Sequence, residues 1–153
     1  MDTSAQTAVD EFVERMGLIA EGDGLSRTAG RIMGLMVIEG GPLSFAELAQ
    51  RLEVSRGSVS MNTRFLERLG VIERVARRGD RRDYFQLAPK PYVRLLDGSV
   101  DRMMKAHSVV ALAKAQLSET DGDARRRLDE LASFYEGLGN SFRELARRFS
   151  GES

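Results

Sequence analysis

The chain has 153 residues, 42% hydrophobic and 30% charged, with 23 basic side chains against 23 acidic and no cysteine. That length buries a normal core for one domain, with or without a helical extension, and the lack of cysteine excludes disulfides, thiolate zinc sites and thiol redox chemistry. The first residues lack the basic and apolar regions of a signal peptide and no apolar run is long enough to span a bilayer, so a cytoplasmic protein with no membrane partner is expected.

Residues 4–21 read as an amphipathic helix with Val9, Phe12, Val13, Met16, Ile19 and Ala20 on one face, stopped by Gly22-Asp23-Gly24. Nothing within the segment covers that face, so it must pack on the rest of the chain or on a second copy. Ser26 is placed to cap a helix from Arg27 to Glu39 that is apolar nearly all round. Gly30 and Gly34 sit inside it despite a cost of roughly 1 kcal/mol each relative to alanine. A buried helix approached closely by another backbone is the reading that accounts for both features. Arg27 and Arg31 are assigned to structural salt bridges.

Gly40-Gly41-Pro42 ends that helix, and Ser44 with Glu47 forms a capping box that opens the next, with Leu43 and Leu48 at the two staple positions. Leu48, Ala49 and Leu52 share its inner face. Glu53-Val54 makes a tight turn, Ser55 caps a second short helix with Val59, Leu66 and Leu69 facing inward, and Gly70 stops it. Its outer face carries Arg56, Gly57, Ser60, Met61, Arg64 and Arg68, which is basic and almost free of acid. After Gly70 the period changes to two. Residues 71–76 and 84–87 form a hairpin around Arg77-Arg78-Gly79-Asp80-Arg81-Arg82. Four arginines at one tip repel each other unless something negative lies opposite, and Asp80 alone does not balance them; a phosphate backbone or a minor groove does.

Pro89 and Pro91 break the strand and start a long helix to about Ser118, with Val93, Leu96, Val100, Met103, His107, Val110 and Leu117 on its apolar stripe. His107 there reads as a core or interface residue rather than a ligand. Thr120 or Asp121 opens a last helix whose apolar positions, Ala124, Leu128, Leu131, Tyr135, Leu138, Phe142, Leu145 and Phe149, alternate spacings of four and three. That is a coiled-coil-like seam for a partner helix. Gly137, Gly139 and Asn140 interrupt it, and Ser141 with Glu144 could cap a separate short helix; a kinked but nearly continuous helix is preferred. Arg125-Arg126-Arg127 reads as a solvated face.

The zero net charge hides a division. Residues 1–50 carry three basic side chains against eight acidic, residues 51–90 ten against five, and the remainder ten against ten. The basic excess is confined to the two short helices and the hairpin, as a local nucleic-acid patch requires. The fold class that follows is mainly α with a small two-stranded antiparallel wing: a winged helix-turn-helix at residues 25–88, between an N-terminal helix at 1–24 and a C-terminal helical region at 89–153. Phe12, Met16, Leu128, Leu131, Tyr135, Leu138, Phe142, Leu145 and Phe149 are apolar positions left for a partner surface, on the rest of the chain or on a second copy.

Three motifs, R-T-A-G-R-I-M-G from Arg27 to Gly34, S-R-G-S-V-S-M-N from Ser55 to Asn62 and G-D-R-R-D-Y-F from Gly79 to Phe85, resemble the MarR-type winged-helix regulators and in particular their GbsR-like branch. The resemblance covers about Leu25 to Leu87, and the flanking helices by architecture only. It implies a homodimer, joined through an N-terminal dimerisation helix at 1–24 and a C-terminal helical dimerisation region at 89–153 by those apolar positions, that places recognition helices in successive major grooves and wings in the flanking minor grooves, with Asp80 orienting Arg82. Choline-type ligands known in the branch are not carried over, because this chain has no tryptophan and three tyrosines to build a cage.

The expected DNA contacts are Ser44, Arg56, Ser58, Ser60, Met61, Asn62, Arg64, Arg77, Arg78, Arg81 and Arg82. Arg56 and Arg64 have the chemistry for bidentate contacts to guanine, and Met61 for thymine methyls. Asn62 is open between adenine readout and a structural hydrogen bond, since its spacing from Val59 turns it inward; Ser58 is open between supporting the first turn and donating to a phosphate. The function expected is a dimeric regulator, more a repressor than an activator, on a pseudo-palindromic operator. A small-molecule effector of unknown identity would sit in a cleft between the dimerisation helices and the winged domain, with Met36, Met103 and His107 as candidate lining. The alternative is a winged-helix module for protein partners, favoured if Arg56, Arg64 and the wing arginines are tied up by the acidic N-terminal half. With one histidine, no phosphate-cradling glycine loop and no carboxylates at metal-ligand spacing, neither an enzyme nor a cofactor or metal is implied.

Overall fold

A computed structural model describes residues 2–151 and divides into two compact units, Met1–Pro91 and Tyr92–Ser153. The first contains α1 (Thr3–Gly22), α2 (Arg27–Glu39), β1 (Leu43–Ser44), α3 (Phe45–Leu52), α4 (Arg56–Leu69), β2 (Ile72–Val75) and β3 (Tyr84–Leu87). The second is made by α5, which begins at Pro91 and runs to Gln116, and α6 (Gly122–Ser150). None of the described helices is long and apolar enough to cross a membrane.

The first helix belongs with the winged region. α1 packs along α2 through glycines: a Cβ on Gly30 would lie 2.5 Å from the Met16 carbonyl oxygen and 2.6 Å from the Ala20 Cβ, and one on Gly17 would lie 2.6 Å from the Arg31 Cγ. The close backbone approach expected from Gly30 and Gly34 is therefore made by α1, with Gly17 as an unforeseen counterpart. Glu14 of α1 locks the pair by accepting from Arg31 Nε at 2.7 Å and from Arg27 Nη2 at 3.5 Å, as the assignment of both arginines to salt bridges required. Two parts of the apolar faces stay uncovered: Ile19 is 59% exposed, and Val37 and Ile38 of α2 are exposed as well, so α2 is not buried all round.

The core of this unit is built by Ile32, Met36, Leu48, Val59, Val71 and Phe85, all essentially without solvent contact. Met36 is thereby removed from the expected effector lining. Thr63 fills the inner face of α4 that was assigned to Leu69; its hydroxyl donates to the Val59 carbonyl at 2.8 Å, while Leu69 is half-exposed. The sheet has three strands in the order β1-β3-β2, all antiparallel. The wing hairpin is the β2–β3 pair, with Val75 opposite Tyr84; β1 adds Leu43 opposite Phe85 and Ser44 opposite Tyr84. Two residues are too few to show alternation, so β1 is invisible as a sequence pattern. Gly41, at φ +92, admits this strand: a Cβ there would lie 2.6 Å from the Phe85 carbonyl oxygen.

In the second unit α6 is unbroken through Gly137 and Asn140. Ser141 does not cap a new helix; its hydroxyl donates back to the Gly137 carbonyl at 2.9 Å. Gly139 is buried with Met103 against it, so the interruption of the seam is a packing position. Arg125 is not simply solvated: its guanidinium donates to the Lys114 and Leu117 carbonyls at 3.0 and 3.2 Å, satisfying acceptors at the end of α5. Lys114 pairs with Asp129 and Arg126 with Asp123.

Candidate nucleic-acid interface

Three capping arrangements aim the interface. Ser44 accepts from the Glu47 amide at 3.2 Å while Glu47 accepts from the Ser44 amide at 2.7 Å, so the capping box fixes the start of α3. Glu53 ends that helix in the left-handed region at φ 54, reversing the chain within a short turn. Ser55 then accepts from the Ser58 amide at 3.1 Å and sets the first turn of α4.

On α4 the outer face is as the pattern required. Arg56, Gly57, Arg64 and Arg68 are exposed and Met61 is 67% exposed, with Ser60 at the margin. No ion pair involves Arg56, Arg64 or Arg68 among the described residues. The acidic N-terminal half spends its carboxylates elsewhere, Glu14 on Arg27 and Arg31 and Glu39 on Arg51. The condition that would have favoured a protein-binding module is therefore not met.

Two expected contacts are withdrawn. Ser44 is 2% exposed with its hydroxyl engaged in the capping box, so it supports the helix and presents nothing outward. Asn62 is buried and donates its amide to the Ser58 carbonyl at 2.8 Å, which resolves it as structural. Ser58 is half-buried, bonded weakly to the Thr28 hydroxyl at 3.5 Å, and serves the first turn through its backbone.

The wing has an internal order that the repulsion argument did not foresee. Asp80 accepts from the Arg82 backbone amide at 2.9 Å, from Arg82 Nε at 3.1 Å and Nη2 at 2.7 Å, and from the Tyr84 hydroxyl at 2.7 Å. Those bonds, with the Arg82 side chain first and Tyr84 second, hold the Asp80 carboxyl far below the usual carboxylate range. The same hydrogen bond to Asp80 raises the Tyr84 phenol above its ordinary value. Arg77 stacks on the Tyr84 ring with its Cζ 4.2 Å from the centroid. Arg78 and Arg81 are exposed and make no ion pair among the described residues. Two further groups brace the base of the hairpin: Arg74 donates to Asp83 at 3.0 Å and lies over Phe85 at 5.4 Å.

Of the expected dimer residues, Phe12, Met16, Leu128, Tyr135, Leu138 and Phe142 are half-buried, while Leu131, Leu145 and Phe149 are exposed. Phe134, off the seam, is exposed too, and the four-and-three spacing carries no signal for it. Met103 and His107 are half-buried in the second unit. Two clefts are better defined than that lining: one of about 360 Å³ bordered by Asp10, Glu14, Arg31, Gln50, Arg51 and Glu53, and one of about 560 Å³ bordered by Val93, Asp97, Asn140, Arg143, Ala146 and Arg147.

A capped helix pair, an exposed basic second helix and an arginine-tipped hairpin on a small antiparallel sheet define a winged helix-turn-helix protein. The profile of the MarR family matches residues 23–83. HTH-type transcriptional regulator MmpR5 of Mycobacterium tuberculosis (strain ATCC 25618 / H37Rv) is 33% identical over 147 residues, which cover 95% of this chain and 89% of that one. The putative HTH-type transcriptional regulator YvaV of Bacillus subtilis (strain 168) is 26% identical over 90 residues, 59% of this chain and 51% of that one. A crystal structure of a transcriptional regulator superimposes with a TM-score of 0.83 at 32% identity, covering 94% of this chain and 99% of the other. The chain belongs to the MarR family. It is a DNA-binding regulator of transcription, and a winged helix devoted to protein partners is not favoured.

Proposed function

We propose that this regulator acts in the cytoplasm as a homodimer that represses transcription from a pseudo-palindromic operator, within the GbsR-like branch of its family. The observation that carries the reading is the outer face of α4, where Arg56, Met61 and Arg64 stand exposed and the two arginines make no ion pair among the described residues. In this reading Arg56, Ser60, Met61 and Arg64 address base edges in the major groove, and Arg77, Arg78, Arg81 and Arg82 follow the backbone and minor groove. Helices α1, α5 and α6 pair two copies through Phe12, Met16, Leu128, Leu131, Tyr135, Leu138, Phe142, Leu145 and Phe149, so that two α4 helices meet half-sites about 34–36 Å apart. A small-molecule effector, its class unassigned, modulates binding. The branch assignment rests on the S-R-G-S-V-S-M-N and G-D-R-R-D-Y-F motifs.

Selection of bound fragments from random duplex DNA tests the reading. The expected product is an inverted repeat with half-sites one helical turn apart. With 6 to 10 phosphate contacts, affinity for it falls by roughly 10³ to 10⁵ between 50 and 200 mM salt. R64A relaxes base preference at one position, whereas R81A weakens binding to all sequences alike. Recovery of no preferred sequence, or an affinity that does not respond to salt, overturns the reading.

A further inference from the structure

The cations of the wing converge on one side chain. Tyr84 is only 2% exposed although it opens the second strand of a surface hairpin. Two guanidinium groups lie over its ring, Arg77 with its Cζ 4.2 Å and Arg82 with its Cζ 5.5 Å from the centroid. Its hydroxyl donates to Asp80 at 2.7 Å, and Asp80 in turn holds Arg82 by four bonds from its backbone amide and guanidinium. One residue thus lies under both guanidinium groups and, through its hydroxyl and Asp80, holds Arg82 a second way.

The backbone under Tyr84 is correspondingly firm. It lies in the central strand, paired with Val75 on the wing side and with Ser44 on the other. Ser44 is itself held by the capping box with Glu47. The Glu47 carboxyl is lowered first by its hydrogen bonds with Ser44, and the fields of Arg77 and Arg82 add to the shift, so both arginines lie within its electrostatic reach. The short strand β1 therefore ties the wing to the start of α3. Arg78 and Arg81, by contrast, are exposed and have no such support.

A free arginine loses rotamer freedom when it enters a groove, and an arginine already held in place does not; that difference favours binding wherever the groove has the right width and depth. We propose that Tyr84 is a positioning residue for DNA recognition, presenting Arg77 and Arg82 as one preset pair that reads minor-groove shape, while Arg78 and Arg81 supply charge without geometry. This rests on the DNA-binding reading above.

A double-mutant cycle separates this role from a merely structural one. Y84L is measured in the natural chain and in an R77A/R82A background, against the selected duplex at fixed salt, with base preference at the outer positions of each half-site as a second readout. Expected is a loss of about tenfold in the natural chain and less than about twofold in the background that lacks the pair, because a residue acting through two others has no effect without them. The loss should fall on the outer positions and leave preference in the major-groove positions unchanged. Y84F, which keeps the ring and drops the hydroxyl, should give a smaller loss that disappears on R82A. If Y84L proves unfolded by thermal melting, that Y84F/R82A cycle decides alone. Equal losses in both backgrounds, or none in either, overturn the proposal while leaving DNA binding intact; a natural chain that binds no duplex overturns both.

Discussion

The two units of this chain finish their cores to different degrees. In the first, side chains from α2, α3, α4 and the sheet close on one another until Ile32, Leu48, Val59 and Phe85 touch no solvent. In the second, Val100, Val110 and Ala146 are the buried apolar side chains, while Met104, Val109, Leu112, Leu131, Phe134, Leu145 and Phe149 stay exposed, Val109 at 68%. Two helices of 26 and 29 residues have too much lateral surface to cover each other. Each large side chain left out forgoes about 1.5 to 3 kcal/mol that burial would return. The first unit has a closed core; the second presents an apolar surface of the kind that a second copy would cover.

The hardest blow to that contrast is a charge on the second unit. L131D combined with F149D should leave the chain monomeric in sedimentation and abolish binding to the selected inverted repeat, while the first unit's thermal transition survives. A dimer that persists with both charges would show that these residues do not join the copies. Next is the close approach in the first unit. G30V forces a branched side chain against the Met16 carbonyl and should cost about 1 to 3 kcal/mol or more in denaturant unfolding, as overpacked cores do. The same change at Gly137 of α6, where a Cβ meets nothing within 4 Å, should cost nothing by clash. If the two glycines respond alike, the difference in packing between the units has been misread.

A smaller effect sits in the wing. The Asp80 carboxyl is depressed in the folded chain, so its stabilisation is fully present above the unfolded value of about 3.9 and fades as pH falls through the lower folded value. The gap in melting temperature between the natural chain and D80N should thus be constant from neutral pH down to about 4 and shrink in stronger acid. A gap that opens between pH 5 and 8 would point to another group. Smallest of all, E53G at the left-handed turn between α3 and α4 should be neutral or stabilise by up to about 1 kcal/mol, since glycine accepts positive φ without a steric cost. A clear loss in thermal unfolding would give the Glu53 side chain a role of its own.

Much of the first unit is legible in the residues because its signals are local. The Ser44/Glu47 box, the Ser55 cap and the Gly70 stop each satisfy backbone groups within a few positions, so the pattern and the structure are the same fact seen twice. Contacts that join distant segments are not legible in that way. Gly17 reads as one more helical residue until Arg31 is seen beside it, and Leu43-Ser44 reads as a staple and a cap until β3 lies alongside. The seam of α6 is periodic whether it faces α5, a second copy or both, and periodicity alone does not divide it among them. Ser44 and Asn62 were placed among the DNA contacts on residue type, and burial removed them.

By itself the sequence determined the order of the helices and of the two wing strands, the capped helix pair, and the confinement of basic excess to residues 51–90, because propensity, capping and charge count depend only on neighbours along the chain. Only the tertiary structure decided which arginines are held and which are free. Arg27, Arg31 and Arg51 are paired across helices, Arg77 and Arg82 are gathered on Tyr84 and Asp80, and Arg56, Arg64, Arg78 and Arg81 are left outward. Charges of one kind look alike in a sequence. Partners brought together from 9 to 17 residues away, or from the next turn of a hairpin, are what make them different.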